Sequence, residues 1–345
     1  MTATQAPAPT RPAARAGSGP ATTGPDGATR LGALVERLSR QSVDKHHDAY
    51  VDVPWDDPDL ALDPADPRCE LFAFDPLAHT DWYRSRTQAE RSAIGLHRIA
   101  HSMKVGMQFE NYLQRGLLSY AMRMDNGDPE FRYCQHEVIE ESQHSLMFQE
   151  FVNRTGLPVH GMPRWLRSLA TVTVPIVNRL SPTLFFMFVL GGEDPIDHIQ
   201  RRQLREGTTH PLTETIMRIH VTEEARHIAY ARTVLRERVP KLTAVQRHAL
   251  GMAVPAVLGI MAPLMVDPTP ELHRAHGVPK RVLAEARTSE AGRRLRRDAV
   301  AKQRKLCREL GLMTPGARAV WRRVGLYDED GAAGSPSSGA ASAAK

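Results

Sequence analysis

Apolar residues recur every three to four positions along most of the chain, in runs set apart by Pro, Gly, Asn and Asp. That period predicts one helix after another. A short amphipathic helix is expected over 31–43, followed from 44 to 85 by an irregular, ordered arm rich in Asp and Pro. Thr87 and Glu90 then make a Thr-x-x-Glu capping box at the head of a long helix running to about Met124. Asp128 and Pro129 supply the N-cap and first turn of a second long helix, which ends after Thr155 at Gly156 and Pro158. Pro163 opens a third helix to about Leu180, and Ser181-Pro182 starts a fourth to about Glu206. Pro211 opens a fifth, to Val239, and Thr243 with Gln246 caps a sixth that stops at Asp267-Pro268. Two or three further helices are expected in 279–326. The β-branched stretch 171–177 (TVTVPIV) lies inside a helix-length apolar run, and no hairpin signal appears, so the predicted class is all-α.

Composition narrows this only a little. The 345 residues are 41% apolar and 24% charged, which suits a globular protein with a sizeable core. A net charge of +6 does not demand a nucleic-acid partner. The basic stretch 292–306 (GRRLRRDAVAKQRKL) has no interleaved aromatics and reads as a solvated helix face. Cys69, Cys134 and Cys307 lie far apart, which excludes a disulfide framework and a thiolate zinc site and suits a reducing compartment. Residues 1–30 and 328–345 hold almost no large apolar side chain and are expected to be disordered tails, the first lacking the apolar core of a secretory signal. The longest apolar run, 250–266, contains Pro255 and Pro263 and is shorter than the roughly 20 residues a bilayer needs. The expectation is therefore a cytoplasmic protein with no membrane span, folded as a single domain over 31–327.

The chemistry sits in carboxylates and histidines. Glu-x-x-His puts both side chains on one helix face, where they can grip one metal ion. One copy means little among 15 histidines, but this chain has two, Glu141–His144 and Glu224–His227, each inside a long predicted helix. Each also follows a Glu on the preceding long helix, Glu110 before the first and Glu193 before the second, and both Glu-to-Glu separations are 31 residues. Two helical hairpins of equal span, each offering Glu and then Glu-x-x-His, carry the ligand set of di-iron and di-manganese four-helix bundles. Four carboxylates balance two divalent ions in a bundle where unpaired charge is costly. His220 lies four residues before Glu224 on the same face, and its ligation makes the pair asymmetric, two nitrogens on one metal and one on the other. Glu137 is its counterpart in the first half. Glu140 and Glu223, just before the motif carboxylates, are placed to accept the far ring N–H of a ligand histidine from a neighbouring helix, and with Glu137 they are the candidate supporting residues. Gly191-Gly192-Glu193-Asp194-Pro195 allows two readings, a kink where helices cross or a local unwinding that aims Glu193 at the metal.

The segments FENYLQRGL around Glu110, HEVIEESQHSLMFQEFV around Glu141 and His144, GGEDPIDH around Glu193 and HVTEEARHIAYAR around His220, Glu224 and His227 resemble the non-haem di-iron N-oxygenases typified by p-aminobenzoate N-oxygenase. The likeness runs from about Leu31 to Tyr327, and the third ligand histidine is its most telling feature. It implies a ferritin-like four-helix bundle core with additional surrounding helices, and two iron ions, manganese being accepted by the same ligands. It further implies O2 as oxidant, acting through a peroxo-bridged diferric species on an aromatic amine, with products running through hydroxylamine and nitroso stages toward nitro. A ferredoxin or flavin-dependent reductase as electron donor, and a homodimer, are implied as partners. Three other readings stand beside it: a di-iron hydroxylase or fatty-acyl desaturase acting on carbon, a ferritin-like metal-handling protein, and a helical interaction protein in which the motifs are accidental.

Overall fold

The structure, a computed structural model, describes residues 30–328. The tails expected at 1–30 and 328–345 fall outside the described residues, except for Arg30, which opens the first helix, and Asp328. The helices are α1 (Arg30–Asp44), α2 (Asp81–Arg84), α3 (Gln88–Ala121), α4 (Pro129–Thr155), α5 (Arg164–Leu180), α6 (Pro182–Glu206), α7 (Pro211–Arg238), α8 (Ala244–Val266), α9 (Glu271–His276), α10 (Lys280–Thr288), α11 (Glu290–Ala299), α12 (Ala301–Glu309) and α13 (Pro315–Arg323). No strand occurs among the described residues. The β-branched 171–177 stretch is helical within α5, because tertiary packing of Val174 overrides local propensity.

Local chemistry explains the boundaries. Thr87 and Glu90 close the expected capping box on α3, and Thr243 with Gln246 does the same on α8. Asp128 accepts the Glu130 N–H at the head of α4, and Gly156 ends it in the left-handed region at φ 63°. Helix α3 stops at Ala121, slightly before Met124, where Arg123 and Met124 N–H turn onto the carbonyls three residues back. The C-terminal part departs further from expectation. Residues 279–326 hold four helices rather than two or three, with Ser289 capping α11, a bend at Val300 dividing α11 from α12, and Thr314-Pro315 restarting the chain as α13.

Helices α3, α4, α6 and α7 form the central bundle. The α3/α4 and α6/α7 hairpins pack side by side, with α3 touching α6 and α4 touching α7. Around it, α1 lies on α4 and α7, α5 on α3 and α6, and α8 on α6 and α13. At 23 residues α8 outruns the apolar run read from sequence, so by length and composition alone it qualifies to cross a bilayer; half of its apolar window is buried inside the protein. The stretch from residue 45 to 80 is an arm of three-ten turns in which Asp57, Asp66 and Asp75 each accept the N–H two residues on, ahead of a proline. It is pressed onto α3 at Gly95, where a Cβ would stand 2.0 Å from the Cys69 carbonyl oxygen. The basic segment 292–306 is only partly a solvated face, since Leu295, Ala299 and Leu306 are core residues and Arg296 pairs with Asp267 at 2.8 Å.

At Gly191-Gly192 the expected unwinding gives way to close packing between helices. Helix α6 is unbroken through Pro195, so no local unwinding is present. A Cβ on Gly192 would meet the Phe109 ring at 1.9 Å. The glycine is there to let α3 and α6 approach beside the next residue, Glu193.

Candidate metal centre

Each bundle helix turns part of the charged set inward. Helix α3 contributes Glu110; α4 contributes Glu137, Glu141 and His144; α6 contributes Glu193; α7 contributes His220, Glu224 and His227. None is more than 2% exposed. Their atoms fall into three overlapping groups, each mutually within 4.8 Å: Glu110, His144, His220 and Glu224; Glu137, Glu141 and His227; and Glu110, Glu141 and Glu193. The helical spacing accounts for this, because i, i+3, i+4 and i+7 positions share a face.

Every one of the three histidines is held from behind. His144 donates from Nε2 to Glu223 Oε2 at 2.9 Å, which leaves Nδ1 facing Glu224 at 3.3 Å and Glu141 at 3.5 Å. His227 donates from Nε2 to Glu140 Oε2 at 2.8 Å and turns Nδ1 toward Glu141 at 3.0 Å and Glu224 at 3.1 Å. His220 is oriented the other way: Nδ1 donates to Gln200 at 2.8 Å, and Nε2 faces Glu110 at 3.4 Å. An acceptor on one ring nitrogen fixes the proton there and leaves the other lone pair for a cation.

Sequence reasoning put Glu140 and Glu223 in such a supporting layer and missed three of its members. Gln200 sits seven residues after Glu193 on the same face of α6, a signal that was legible. His47, which donates to Glu223 from Nδ1 at 3.1 Å, and Arg226, which lies 2.8 Å from Glu140 and 3.3 Å from Glu223, had no motif to mark them. Glu137 differs from its sequence assignment. It stands among the inward-facing groups with Glu141 and His227, not behind them.

The electrostatics ask for a cation. Glu110 Oε2, both oxygens of Glu137 and Glu141, Glu193 Oε1, Glu224 Oε2 and His144 Nδ1 are buried and make no hydrogen bond among the described residues. Groups of that kind are costly without a partner. Burial, reinforced by neighbouring carboxylates, pushes Glu110 and Glu193 well above the usual carboxylate range. Burial likewise raises Glu137 to about 8, and burial with His144 nearby lowers His220 to about 4. Against its own desolvation, Glu223 is held at about 2 by His144 and His47. A donor set of carboxylate oxygens and imidazole nitrogens, aimed inward and unsatisfied, fits iron or manganese.

A cavity adjoins the cluster. Glu110 and Glu193 form part of its wall, and Phe109, Phe148, Ile196 and Met217 line it with apolar surface.

The family model described as P-aminobenzoate N-oxygenase AurF matches residues 29–311. Uncharacterized proteins of Mycobacterium bovis and of two strains of Mycobacterium tuberculosis are each 42% identical to this chain over 291 residues, covering 84% of it and 85% of their own length. No solved structure matches the chain.

Proposed function

The chain belongs to the p-aminobenzoate N-oxygenase family, and on that premise we propose that it is a non-haem di-iron oxygenase that uses O2 to oxygenate the nitrogen of an aromatic amine. The observation that carries the reading is the set of buried carboxylate and imidazole atoms on four facing helices that find no hydrogen-bond partner among the described residues. In this reading Glu110, Glu141, His144, Glu193, His220, Glu224 and His227 hold two iron ions, with Glu137 as a further carboxylate within reach.

When bound, the iron pair supplies O2 activation and transfer of one oxygen atom to the substrate nitrogen. The remaining work falls to the chain. Glu223, Glu140 and Gln200 keep the proton of each histidine on the ring nitrogen away from the cluster. Phe109, Phe148 and Ile196 exclude water from the side where Glu110 and Glu193 face the cavity. Conversion of an amine to a hydroxylamine consumes O2, two electrons and two protons and releases water. A ferredoxin or flavin reductase is therefore part of the proposal, as is a homodimer.

The apolar lining favours one second reading, a di-iron hydroxylase or desaturase acting on carbon. One experiment separates them. The purified protein is assayed for iron, reduced, and exposed to O2 with a panel of arylamines. About two irons per chain, O2 uptake and a hydroxylamine or nitro product support the proposal. Iron and O2 uptake with oxidation only at carbon support the second reading, and a folded protein that takes up neither iron nor manganese sinks both.

A further inference from the structure

Two further cavities share walls in series with the one at the metal cluster. The outermost is a groove beneath α5, bounded by Leu169, Val174, Val177, Leu184 and Val257. It opens at the surface, where Leu169 is 49% exposed and Ile260 51%. The groove shares Leu166, Ala170, Phe188, Ile260 and Met261 with a middle chamber. That chamber in turn shares Val105, Phe109 and Met265 with the cavity walled by Glu110 and Glu193. The joints are aromatic. Phe188 belongs to the groove and the chamber, Phe109 to the chamber and the metal cavity, and their rings lie 5.0 Å apart.

Among the described residues, no ionisable side chain other than Tyr112 borders the groove or the chamber. Among the described residues lining the metal cavity the one cationic side chain is Arg98, already engaged by the Asp75 carboxylate at 3.3 Å and the Val266 carbonyl at 2.7 Å. Among the described residues lining these three cavities a substrate carboxylate therefore meets no unpaired cation, whereas an uncharged body gains by leaving water.

We propose that the groove and chamber take the uncharged alkyl or aryl tail of the substrate, threaded between α5, α6 and α8, with its nitrogen leading past Phe109 to Glu110 and Glu193. The substrate class is then a tail-bearing, neutral arylamine and not an aminobenzoate. This rests on the oxygenase reading only for the leading amine; the apolar path stands on the walls themselves.

The test is equilibrium binding by calorimetry to the full-length, iron-loaded protein without O2. The probes are aniline carrying butyl, hexyl or octyl chains at the para position, and 4-aminobenzoate. The expected result is tightening of about three- to fourfold per methylene until the path is full, with 4-aminobenzoate weaker than butylaniline by at least about tenfold. Ala170→Phe plugs the chamber, and Leu169→Glu puts a charge at an exposed position that does not threaten folding. In the proposal both flatten the dependence on chain length while iron content stays unchanged. Affinity independent of chain length overturns it, as does a dependence unaltered by both variants. Concentration-dependent self-association through α5 without chain-length dependence also overturns it, by assigning the groove to a second copy. Failure here with normal iron loading and O2 uptake leaves the oxygenase reading intact. Chain-length dependence in a protein that loads no iron leaves the path and removes the oxygenase.

Discussion

Glu223 on α7 accepts the Nε2–H of His144 on α4 at 2.9 Å, entirely out of water. The reverse arrangement holds one layer away, where Glu140 on α4 accepts from His227 on α7 at 2.8 Å. Each hairpin thus supplies an acceptor that orients the other hairpin's histidine. Removing such a partner typically costs 10–100-fold in metal affinity, because the imidazole loses its fixed tautomer and orientation. Glu223→Ala is expected to weaken iron binding by about that range, and Glu223→Gln by less, since its amide oxygen still accepts. His47→Ala, which strips only the outer support of Glu223, is expected to fall between wild type and Glu223→Ala. Competition with a chelator of known affinity measures all three; equal affinity in wild type and Glu223→Ala removes the orienting role.

Two glycines make close approaches of different kinds, and they predict different penalties. A Cβ at Gly192 would strike the Phe109 ring, which can rotate. A Cβ at Gly95 would stand 2.0 Å from the Cys69 carbonyl oxygen and 2.8 Å from the Leu71 backbone nitrogen, which cannot yield without lifting the arm off α3. Gly192→Ala is expected to destabilise by about 1–3 kcal/mol and to be largely rescued by Phe109→Leu. Gly95→Ala is expected to cost more, with no side-chain rescue. Urea denaturation of the two single variants and the Gly192/Phe109 pair checks this. An additive pair contradicts the contact.

Much of this molecule was legible before any coordinates. Punctuation by Thr87, Asp128, Ser181, Pro211 and Thr243 located the long helices closely, because capping is local chemistry. The inward-facing carboxylates and histidines could be grouped because 31-residue spacings and i, i+3, i+4 periods are properties of the chain alone. What escaped depends on contacts between distant segments. His47 meets Glu223 across 176 residues, and no pattern in the arm announces it. Gly192 looked like a helix breaker because its partner, Phe109, lies 83 residues earlier. The apolar groove beneath α5 is likewise invisible in sequence, since a helix with one apolar face reads the same whether that face is covered or open.

A second histidine cluster, away from the metal centre, predicts acid sensitivity. Glu271 accepts from His101 Nδ1 at 3.1 Å and from the His160 N–H at 3.1 Å, with His97 Nε2 at 3.7 Å. Although burial alone would raise it, His101 and His97 hold Glu271 well below its ordinary carboxylate value. Burial also lowers His101. Both shifts are downward, so both contributions to stability are present at neutral pH and are lost on acidification. That of His101 begins to go below its ordinary value of 6.5 and that of Glu271 below 4.5. Glu271→Gln is expected to cost about 1–3 kcal/mol at pH 7, with the gap to wild type narrowing as the pH falls below 4.5. Thermal melts across pH measure the gap; one that widens in acid reverses the assignment.

Metal removal probes the centre through stability, independently of turnover. The four bundle helices converge on carboxylates, of which burial drives Glu110, Glu137 and Glu193 toward neutrality, and a pair of divalent cations relieves that cost only in the folded chain, where the ligands meet. Binding to the native state alone stabilises by mass action, about 2.7 kcal/mol at a metal concentration 100-fold above Kd. For a protein of this size that raises the Tm by roughly 5 °C. Anaerobic Fe(II) is expected to produce such a shift, Mn(II) a comparable one through the same oxygen and imidazole donors, and a chelator to reverse both. The double variant Glu141→Ala with His227→Ala removes one donor from each Glu-x-x-His and is expected to show no metal-dependent shift while remaining helical. Calorimetric melts of wild type and double variant, each with and without metal, decide the matter. An equal shift in both means the metal binds elsewhere, and no shift in the wild type means these buried carboxylates hold protons and not iron.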